Sequence, residues 1–270
     1  DFAHIIPDKD NNWINLAEND LEGLLPLYDK SNNHNSLLNL VSIGVSTNRD
    51  EWVFDFSEKT LLNKMRYFIE SYNSKVLNNE NDFDDEKMKD IKWSDSLKNK
   101  FKNKLKLIFT REYLTSFHYR PFTNVNYYAD KNLSDRLTNN HFEIHGLKLK
   151  NENIIIGFSG VGSSKAFSCL ATNQLIGVDY LEKTQCISLY RYDSNDNRIE
   201  NITDWGLEQF QKHYKDKKIK KEDIFNYIYA VLHNPEYRKK YEINLKREFP
   251  RIPFYENFKK WCNRGKRLME

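Results

Sequence analysis

The residues most suggestive of chemistry form a glycine-rich turn after an apolar run, residues 154–165 (IIIGFSGVGSSK). A phosphate-binding loop would place Lys and Ser/Thr directly after its last glycine, but two serines separate Gly162 from Lys165. A dinucleotide fingerprint would need a third glycine at position 165. The spacing Phe158-x-Gly160-x-Gly162 has the shape of a methyltransferase cofactor loop, without a convincing acidic residue near the end of the next strand. A structural turn between two strands is the favoured interpretation. Its small residues would also let a sugar–phosphate chain approach Lys165.

Two further patterns resemble catalytic motifs but fit local structure better. Residues 234–237 (NPEY) resemble the Asn-Pro-Pro-Tyr motif of amino-methyltransferases without its second proline. A helix start, with Asn as the cap and Pro in the first turn, explains them. His141 and His145 have the spacing of one helix face, but no third metal ligand lies nearby, so a surface or capping role is expected.

The chain also lacks the side-chain patterns of hydrolytic and metal-dependent centres. No Glu is followed two positions later by Lys, and the Asp-x-Lys of residues 85–87 lies in an acidic segment. The sequence contains no Gly-x-Ser-x-Gly elbow and no CxxC pair. By motif count, the chain therefore has no convincing catalytic centre of its own, and a metal-dependent nuclease centre is poorly supported.

Composition limits the class of protein. Hydrophobic residues make up 39% and charged residues 30% of the 270 residues, with only 9 Gly and 6 Pro. These values exclude a collagenous, low-complexity or fully disordered chain, and no apolar run approaches the length of a membrane span. The 3 scattered cysteines argue against a disulfide framework and fit a reducing cytosol, so a cytoplasmic location is expected.

Charge is unevenly distributed along the chain. Residues 211–270 hold 17 Lys and Arg against 8 Asp and Glu, whereas residues 1–210 hold 25 against 31. A basic end on an acidic body suggests an anionic partner for that end. A solvated basic helical face is the equally weighted alternative.

Hydrophobic periodicity predicts a mixed α+β fold with a β-rich body, flanking helices and a helical C-terminal subdomain. Ser57 is a good N-cap for the first long helix. Strands are predicted within residues 43–56, 153–158, 170–178 and 185–192. Helices are predicted for residues 60–76, 95–109, 204–213, 223–233, 234–247 and 254–268.

Several segments together resemble one family. They are residues 44–54, 119–122 (YRPF), 160–165, 183–190 and 201–203, and above all the tail motifs HNPEYR and NLKREFPRIP within residues 222–253. Together they are similar to the C-terminal region of Type ISP restriction–modification enzymes, over about residues 2–268. Those single polypeptides join a nuclease, a helicase-type motor, an adenine-N6 methyltransferase and a target-recognition domain. The chain departs from the family at residues 187–188, where Phe-Pro would be expected.

The resemblance implies that this chain is the target-recognition, or specificity, domain and that the catalytic motifs lie upstream. Residues 1–40 would form the seam with an upstream methyltransferase domain, residues 41–205 the recognition body and residues 206–270 the basic helical subdomain. S-adenosylmethionine, ATP and Mg²⁺ are then expected for the whole enzyme and none of them for this chain. The expected partners are double-stranded DNA and the upstream methyltransferase domain, with no membrane. The turn at residues 160–165 would belong to the recognition domain.

Target recognition requires some side chains that pair with base edges and others that neutralise phosphates. The duplex must also be held while the neighbouring domain extrudes the adenine. A salt bridge or a plain surface charge is the alternative for each candidate, and for Arg49 the partners would be Asp50 and Glu51. Packing competes in the basic end, where Tyr237, Tyr241, Leu245 and Phe249 follow a core stripe. The base-reading candidates are Arg49, Arg120, Lys165, Lys183 and Arg191. The phosphate-binding candidates are Arg238, Lys239, Lys240, Lys246, Arg247 and Arg251.

The expected function is sequence-specific recognition of duplex DNA for the methyltransferase and the nuclease of the same polypeptide. The alternative is a protein–protein docking domain, whose basic end would bind an acidic face of the methyltransferase or helicase. An independent methyltransferase is the least supported of the three.

Overall fold

The structure, a computed structural model, describes residues 6–7, 11–14, 19–31, 35–78 and 89–270. The Asp-x-Lys pattern of residues 85–87 therefore lies outside the described residues. The strands are β1 (Leu25–Pro26), β2 (Val41–Ile43), β3 (Phe54–Asp55), β4 (Leu114–Arg120), β5 (Thr123–Tyr128), β6 (Ile155–Phe158), β7 (Cys169–Thr172), β8 (Leu175–Ile176), β9 (Gln185–Ser188), β10 (Tyr190–Tyr192), β11 (Arg198–Glu200) and β12 (Arg251–Ile252). The helices are α1 (Asp50–Val53), α2 (Glu58–Leu77), α3 (Asp95–Lys102), α4 (Asn139–His145), α5 (Asp204–Tyr214), α6 (Lys221–His233), α7 (Pro235–Lys240), α8 (Glu242–Arg247) and α9 (Phe258–Met269).

Two four-stranded sheets form the centre of this mixed α+β fold, the class expected from the sequence. The first has the strand order β2-β9-β6-β7 and is antiparallel throughout. All four residues of β6 are buried, as a central strand covered on both faces requires. The second has the order β3-β5-β4-β8, in which β4 and β5 form a long hairpin and β8 runs parallel to β4. A bridge between Val45 and Gly177 links the two sheets.

Helices α2 and α3 cover the second sheet. The Ser57 hydroxyl caps α2 by accepting a hydrogen bond from the Thr60 N–H at 3.3 Å, as predicted. Buried side chains recur every three or four residues along α2, which is the spacing of a single apolar face. They pack on aromatic residues of the hairpin, including Phe117 and Tyr127. The buried residues of α2 are Leu61, Met65, Phe68, Ile69, Tyr72 and Val76.

A separate hydrophobic core joins the C-terminal helices to the first sheet. It contains Ile156 and Phe158 from β6 together with Phe210, Phe225 and Ile228 from α5 and α6. The N-terminal part of the chain reaches the same core, because β1 pairs with β12 in an antiparallel ribbon. The division into residues 1–40, 41–205 and 206–270 stays a prediction.

Some element boundaries differ from the sequence prediction. Helix α3 ends at Lys102, because Lys104 has a left-handed backbone (φ 54°) and Asn73 takes over the hydrogen bonding of the next segment. The Asn73 amide donates to the Leu107 carbonyl and accepts from the Leu107 N–H, both at 2.9 Å. The following residue, Ile108, is 73% exposed and does not join the predicted apolar stripe.

The C-terminal helices are also more segmented than periodicity indicated. The predicted helix over residues 234–247 is two helices, α7 and α8, that meet at Tyr241. Its start is as predicted, since the Asn234 side chain accepts from the Glu236 N–H at 3.0 Å. The last helix begins four residues late, at Phe258, where Asn257 is the cap. Within the described residues, no helix combines the length and the apolar character that spanning a bilayer requires.

Candidate nucleic-acid interface

The glycine-rich turn binds an anion supplied by the chain itself. The Glu182 carboxylate accepts from the Ser163 hydroxyl at 2.7 Å and from the Ser164 and Lys165 N–H groups, both at 3.1 Å. These bonds stabilise the ionised form and lower the pKa of Glu182 to about 2. Amides that would cradle a phosphate in a cofactor loop are occupied, so the contacts are those of a structural turn.

Close backbone approach explains why this turn contains glycines. A Cβ at Gly160 would lie 1.9 Å from the Lys183 carbonyl oxygen, and Gly162 has a φ of 76°. The Gly162 N–H donates to the Lys246 carbonyl at 2.7 Å, which ties the turn to α8. The Lys183 ammonium donates to the Gly162 carbonyl at 2.7 Å. Lys183 is therefore exposed but partly committed to holding the turn, whereas the Lys165 ammonium has no partner in the described part of the chain.

The tip of the β4–β5 hairpin presents a cation and an aromatic ring. Arg120 is exposed and its guanidinium lies over the Tyr119 ring, 4.3 Å from the centroid. The Tyr119 hydroxyl donates to Asp50 at 3.0 Å, which fixes that ring. Two positions later, Phe122 is 92% exposed with a φ of 64°, a conformation that is strained for an aromatic residue. Sequence reasoning missed Phe122, although a Pro-Phe pair at a hairpin turn is a usable signal.

We call residues 119–122, 160–165 and 179–183 the loop edge, because residues 179–183 link the hairpin tip to the glycine-rich turn. Arg120 and Asp179 line the same cavity of about 230 Å³, together with Asp50 and Glu51. The chain runs from Asp179 to Glu182, which binds the glycine-rich turn. Three of the predicted base readers, Arg120, Lys165 and Lys183, thus belong to the loop edge and are exposed.

Arg49 does not lie on the loop edge. Its side chain is fully buried, and its guanidinium donates to the Leu133 carbonyl and to the Ser94 hydroxyl. Its acidic partner is Asp135, at 3.8 Å, rather than the neighbouring Asp50 or Glu51. In this position Arg49 ties α1 to the residues after β5 and cannot reach a base edge.

Arg191 lies in a different place again. It lines a cavity of about 730 Å³ on the side of the molecule formed by α4, β10 and β11, with Tyr113, Phe142 and Ile199 among the other walls. It pairs with Glu143 at 3.8 Å, and its Nε–H is buried without a hydrogen-bond partner among the described residues.

The cations of α7, α8 and β12, residues 238–251, are mostly engaged within the fold. The Arg238 guanidinium donates to the Leu232 carbonyl at 2.6 Å and contacts the Cys169 sulfur at 3.4 Å. Lys240 pairs with Asp20 at 2.8 Å, and this contact raises the pKa of the lysine. Lys239 is exposed and has no partner in the described part of the chain.

The remaining candidates of this segment lie near acidic groups or near β1. Lys246 pairs with Glu242 at 3.3 Å, and Arg251 pairs with Glu248 at 3.6 Å. Arg247 is exposed at the rim of a cavity next to Val161 of the glycine-rich turn. Sequence reasoning expected a core stripe under these cations, and Tyr237, Tyr241 and Leu245 are indeed buried with Phe249 packed against them.

The two histidines of α4 serve local structure. His141 accepts the Thr138 N–H at Nδ1 (3.0 Å) and its Nε2 lies 2.8 Å from the Ile43 carbonyl, the capping role that was expected. Burial lowers the pKa of His141 to about 4 and that of His145 to about 3, so both are neutral at pH 7. Among the described residues, no group of His, Cys, Asp and Glu is arranged to hold a metal ion.

Comparison with known families assigns the chain. Residues 36–270 match the family model of the Type ISP C-terminal specificity domain, and the chain therefore belongs to this family. A comparison with proteins of curated function finds no match.

Solved structures of Type ISP and related enzymes contain the same fold. The chain is 39% identical to part of the protein in a cryo-EM structure of a DrdV–DNA complex, with a TM-score of 0.91 over 100% of the chain and 27% of that protein. It is 28% identical to a nuclease-deletion mutant of the Type ISP enzyme LlaGI in complex with a DNA substrate mimic, with a TM-score of 0.83 over 100% of this chain and 25% of that one. It is 27% identical to the ATP-dependent Type ISP enzyme LlaBIII bound to DNA, with a TM-score of 0.86 over 98% of this chain and 17% of that one. The chain thus spans about a quarter or less of these relatives.

Proposed function

We propose that this chain recognises a target sequence in duplex DNA for a single-chain restriction–modification enzyme, and that the loop edge is its reading surface. The observation that carries the proposal is that Arg120, Lys165 and Lys183 are exposed on the linked loops of the loop edge. The specificity-domain fold that carries these loops also occurs in the DrdV, LlaGI and LlaBIII structures, which were solved with DNA or a DNA mimic. Exposed cations on rigid hairpins and turns suit base readout, because their positions are set by the sheets beneath them.

The structure supports different roles for the predicted residues. Arg120, whose guanidinium lies over the Tyr119 ring and donates to the Tyr119 carbonyl at 2.7 Å, is proposed to pair with guanine through its remaining N–H groups. Lys165 and Lys183 suit phosphates or guanine beside it, and Phe122 offers a ring that can stack on a base. In the basic end, Lys239 and Arg247 are the proposed phosphate ligands, and Arg251 would contact a phosphate only by giving up its pair with Glu248. We propose that Arg49 and Arg238 stabilise the fold through their buried partners rather than contact DNA. Arg191 lies at the cavity formed by α4, β10 and β11, outside the loop edge.

The reactive steps are proposed to belong to other parts of the polypeptide. Adenine-N6 methylation, translocation and cleavage would use S-adenosylmethionine, ATP and Mg²⁺ bound outside this chain. The chain would hold the duplex while the adenine is extruded toward an upstream methyltransferase domain. A cytoplasmic location follows from this role.

Salt-dependent titration tests the proposal. Labelled random-sequence duplexes are titrated with the chain at several salt concentrations, and bound duplexes are selected and sequenced. We expect affinity to fall steeply with salt, because phosphate contacts release counterions, and a consensus to emerge from selection. The double variant Arg120→Gln, Lys165→Gln should bind more weakly and relax the consensus.

The matched control removes the same charge elsewhere. Lys102 and Lys106 are exposed on the α3 side, away from the loop edge, and Lys102→Gln, Lys106→Gln should leave the consensus intact. Salt-independent binding, or a consensus unchanged in the loop-edge variant, would refute the proposed reading surface.

One observation favours the docking alternative for the basic end. Segment 19–22 of the N-terminal part already lies on it: Lys240 pairs with Asp20, the Tyr241 hydroxyl donates to Asp20 at 2.7 Å, and the Asn19 amide donates to Asn244 at 2.7 Å. Residues 238–251 would then bind protein rather than phosphate. Charge reversal at Lys239 and Lys240 distinguishes the two functions: lost DNA binding favours phosphate contact, and lost association with an upstream methyltransferase domain favours docking.

A further inference from the structure

Helix α9 carries five exposed cations that have no acidic partner in the described part of the chain. None of its basic side chains has a carboxylate within ion-pair distance there, although Glu256 and Glu270 flank the helix and the Asp223 carbonyl accepts from the Cys262 thiol beneath it. Arg264 instead lies over the Trp261 ring, 5.5 Å from its centroid. The exposed cations are Lys259, Lys260, Arg264, Lys266 and Arg267.

Packing fixes which face of α9 points outward. Phe258, Cys262 and Gly265 are buried against α6. Gly265 permits the closest approach, because a Cβ there would lie 1.8 Å from the Asn226 carbonyl oxygen. At about 100° per residue, Lys260, Arg264 and Arg267 form one stripe opposite the buried face.

Helix stability explains only some of these charges. Lys266 and Arg267 lie in the last turn, where the helix dipole favours cations, but Lys259 and Lys260 lie in the first turn, which contains no acidic residue and where the dipole disfavours them. Lys260 and Arg264 are four residues apart, a spacing at which like charges repel. These unfavourable interactions, between like charges and with the helix dipole, would be reduced by an anion bound from outside the chain.

Neighbouring lysines widen the same surface. The Tyr214 ring at the end of α5 packs on Phe258 with centroids 4.9 Å apart, so the turn after α5 starts beside the first turn of α9. Lys215, Lys217 and Lys218 in that turn are exposed. Asp216 is the acidic residue within it, and its carboxylate accepts from the Lys218 N–H at 2.9 Å.

We propose that α9 is a second DNA-binding surface, separate from the loop edge, which contacts duplex phosphates regardless of sequence. The inference rests on the proposed function of the chain as a DNA reader. The stripe from Lys260 to Arg267 spans about 10 Å along the helix. That length of duplex carries about six phosphate charges, enough to engage every cation of the stripe.

A charge-neutralised helix tests the inference. The variant Lys259→Gln, Lys260→Gln, Arg264→Gln, Arg267→Gln changes only exposed side chains. Binding to a random-sequence duplex is measured from low to moderate salt. We expect at least a tenfold loss of affinity at low salt, equal for all duplex sequences, and a salt slope smaller by about two to four. The consensus selected by the loop edge should stay unchanged.

A second variant, which removes the same number of positive charges elsewhere, distinguishes an effect of the α9 site from an effect of total charge. The control replaces four exposed lysines in or next to α2 and α3, which belong to the other hydrophobic core: Lys59, Lys92, Lys102 and Lys106. Their replacement by Gln should cost little DNA affinity. If both quadruple variants lose the same affinity, or if the α9 variant binds as wild type does, the inference is overturned and an acidic protein surface becomes the partner to seek. A wild-type chain without DNA binding would instead remove the proposed function itself.

Discussion

The segment from α7 to β12 and helix α9 hold similar numbers of Lys and Arg, six and five, but differ in how many of these side chains are paired within the fold. In the first, Arg238 bonds a buried carbonyl, and Lys240, Lys246 and Arg251 face Asp20, Glu242 and Glu248. In the second, the exposed cations have no acidic partner in the described part of the chain. The difference teaches that a count of Lys and Arg locates a basic region but not a binding surface, because a cation already neutralised within the fold gains less from a phosphate.

The extreme case of an engaged cation is Arg49, and its loss should have the largest effect on stability. Arg49→Met would leave the Leu133 carbonyl and Asp135 without their buried partner, at a cost of about 3 kcal/mol or more in the free energy of unfolding. Urea denaturation measures it. Arg111→Met, which breaks an exposed ion pair with Glu58, is the control and should cost less than about 1 kcal/mol. Equal losses in the two variants would show that burial of Arg49 contributes nothing.

The direct comparison of the two basic regions is Arg238 against Arg264. Arg238→Met should lower the free energy of unfolding by about 1–3 kcal/mol, since it leaves the Leu232 carbonyl unsatisfied, with no change in the salt slope of DNA binding. Arg264→Gln should do the opposite, leaving stability within about 0.5 kcal/mol and reducing the slope by about one. Denaturation and salt titration of the same two proteins check this, and a reversed pattern would break the comparison.

The smallest effect concerns the internal anion of the loop edge. The pKa of Glu182 is lowered to about 2 in the folded state, from an ordinary value of 4.5, by the hydrogen bonds of the glycine-rich turn. Its contribution to stability is therefore complete above pH 4.5 and is lost as the pH falls toward 2. NMR titration of the carboxylate should show this pKa, and Glu182→Gln should remove the part of the pH dependence of stability that Glu182 contributes in that window. A titration midpoint near 4.5 would contradict the role of the turn as an anion binder.

The sequence predicted those features of the fold that depend on interactions between residues close together in the chain. The Ser57 and Asn234 caps and the apolar face of α2 lie within one helix, and they were predicted correctly. The end of α3 was wrong, because it depends on Asn73, which is 34 residues from Leu107 in the sequence. The extended segment after α3 depends on the hydrogen bonds between Asn73 and Leu107, and short-range sequence patterns do not include residues so far apart.

The candidate site divides in the same way. Residue types and motifs were enough to indicate the family and to select Arg120, Lys165 and Lys183 as exposed turn residues. They were not enough to separate these from Arg49, whose partners Ser94, Leu133 and Asp135 are 45 or more residues away. Sequence reasoning missed Phe122 and α9, because the exposure of the Phe122 ring and the lack of acidic partners for the α9 cations are properties of the folded surface.

By itself, the sequence of this protein determined its family, its mixed α+β class, the Ser57 and Asn234 helix caps and the location of its basic end, because each of these depends on residues close together in the chain. Only the tertiary structure decided which cations remain available. Pairing depends on distances across the fold, and a charge that meets a carboxylate or a buried carbonyl is no longer free to meet a phosphate.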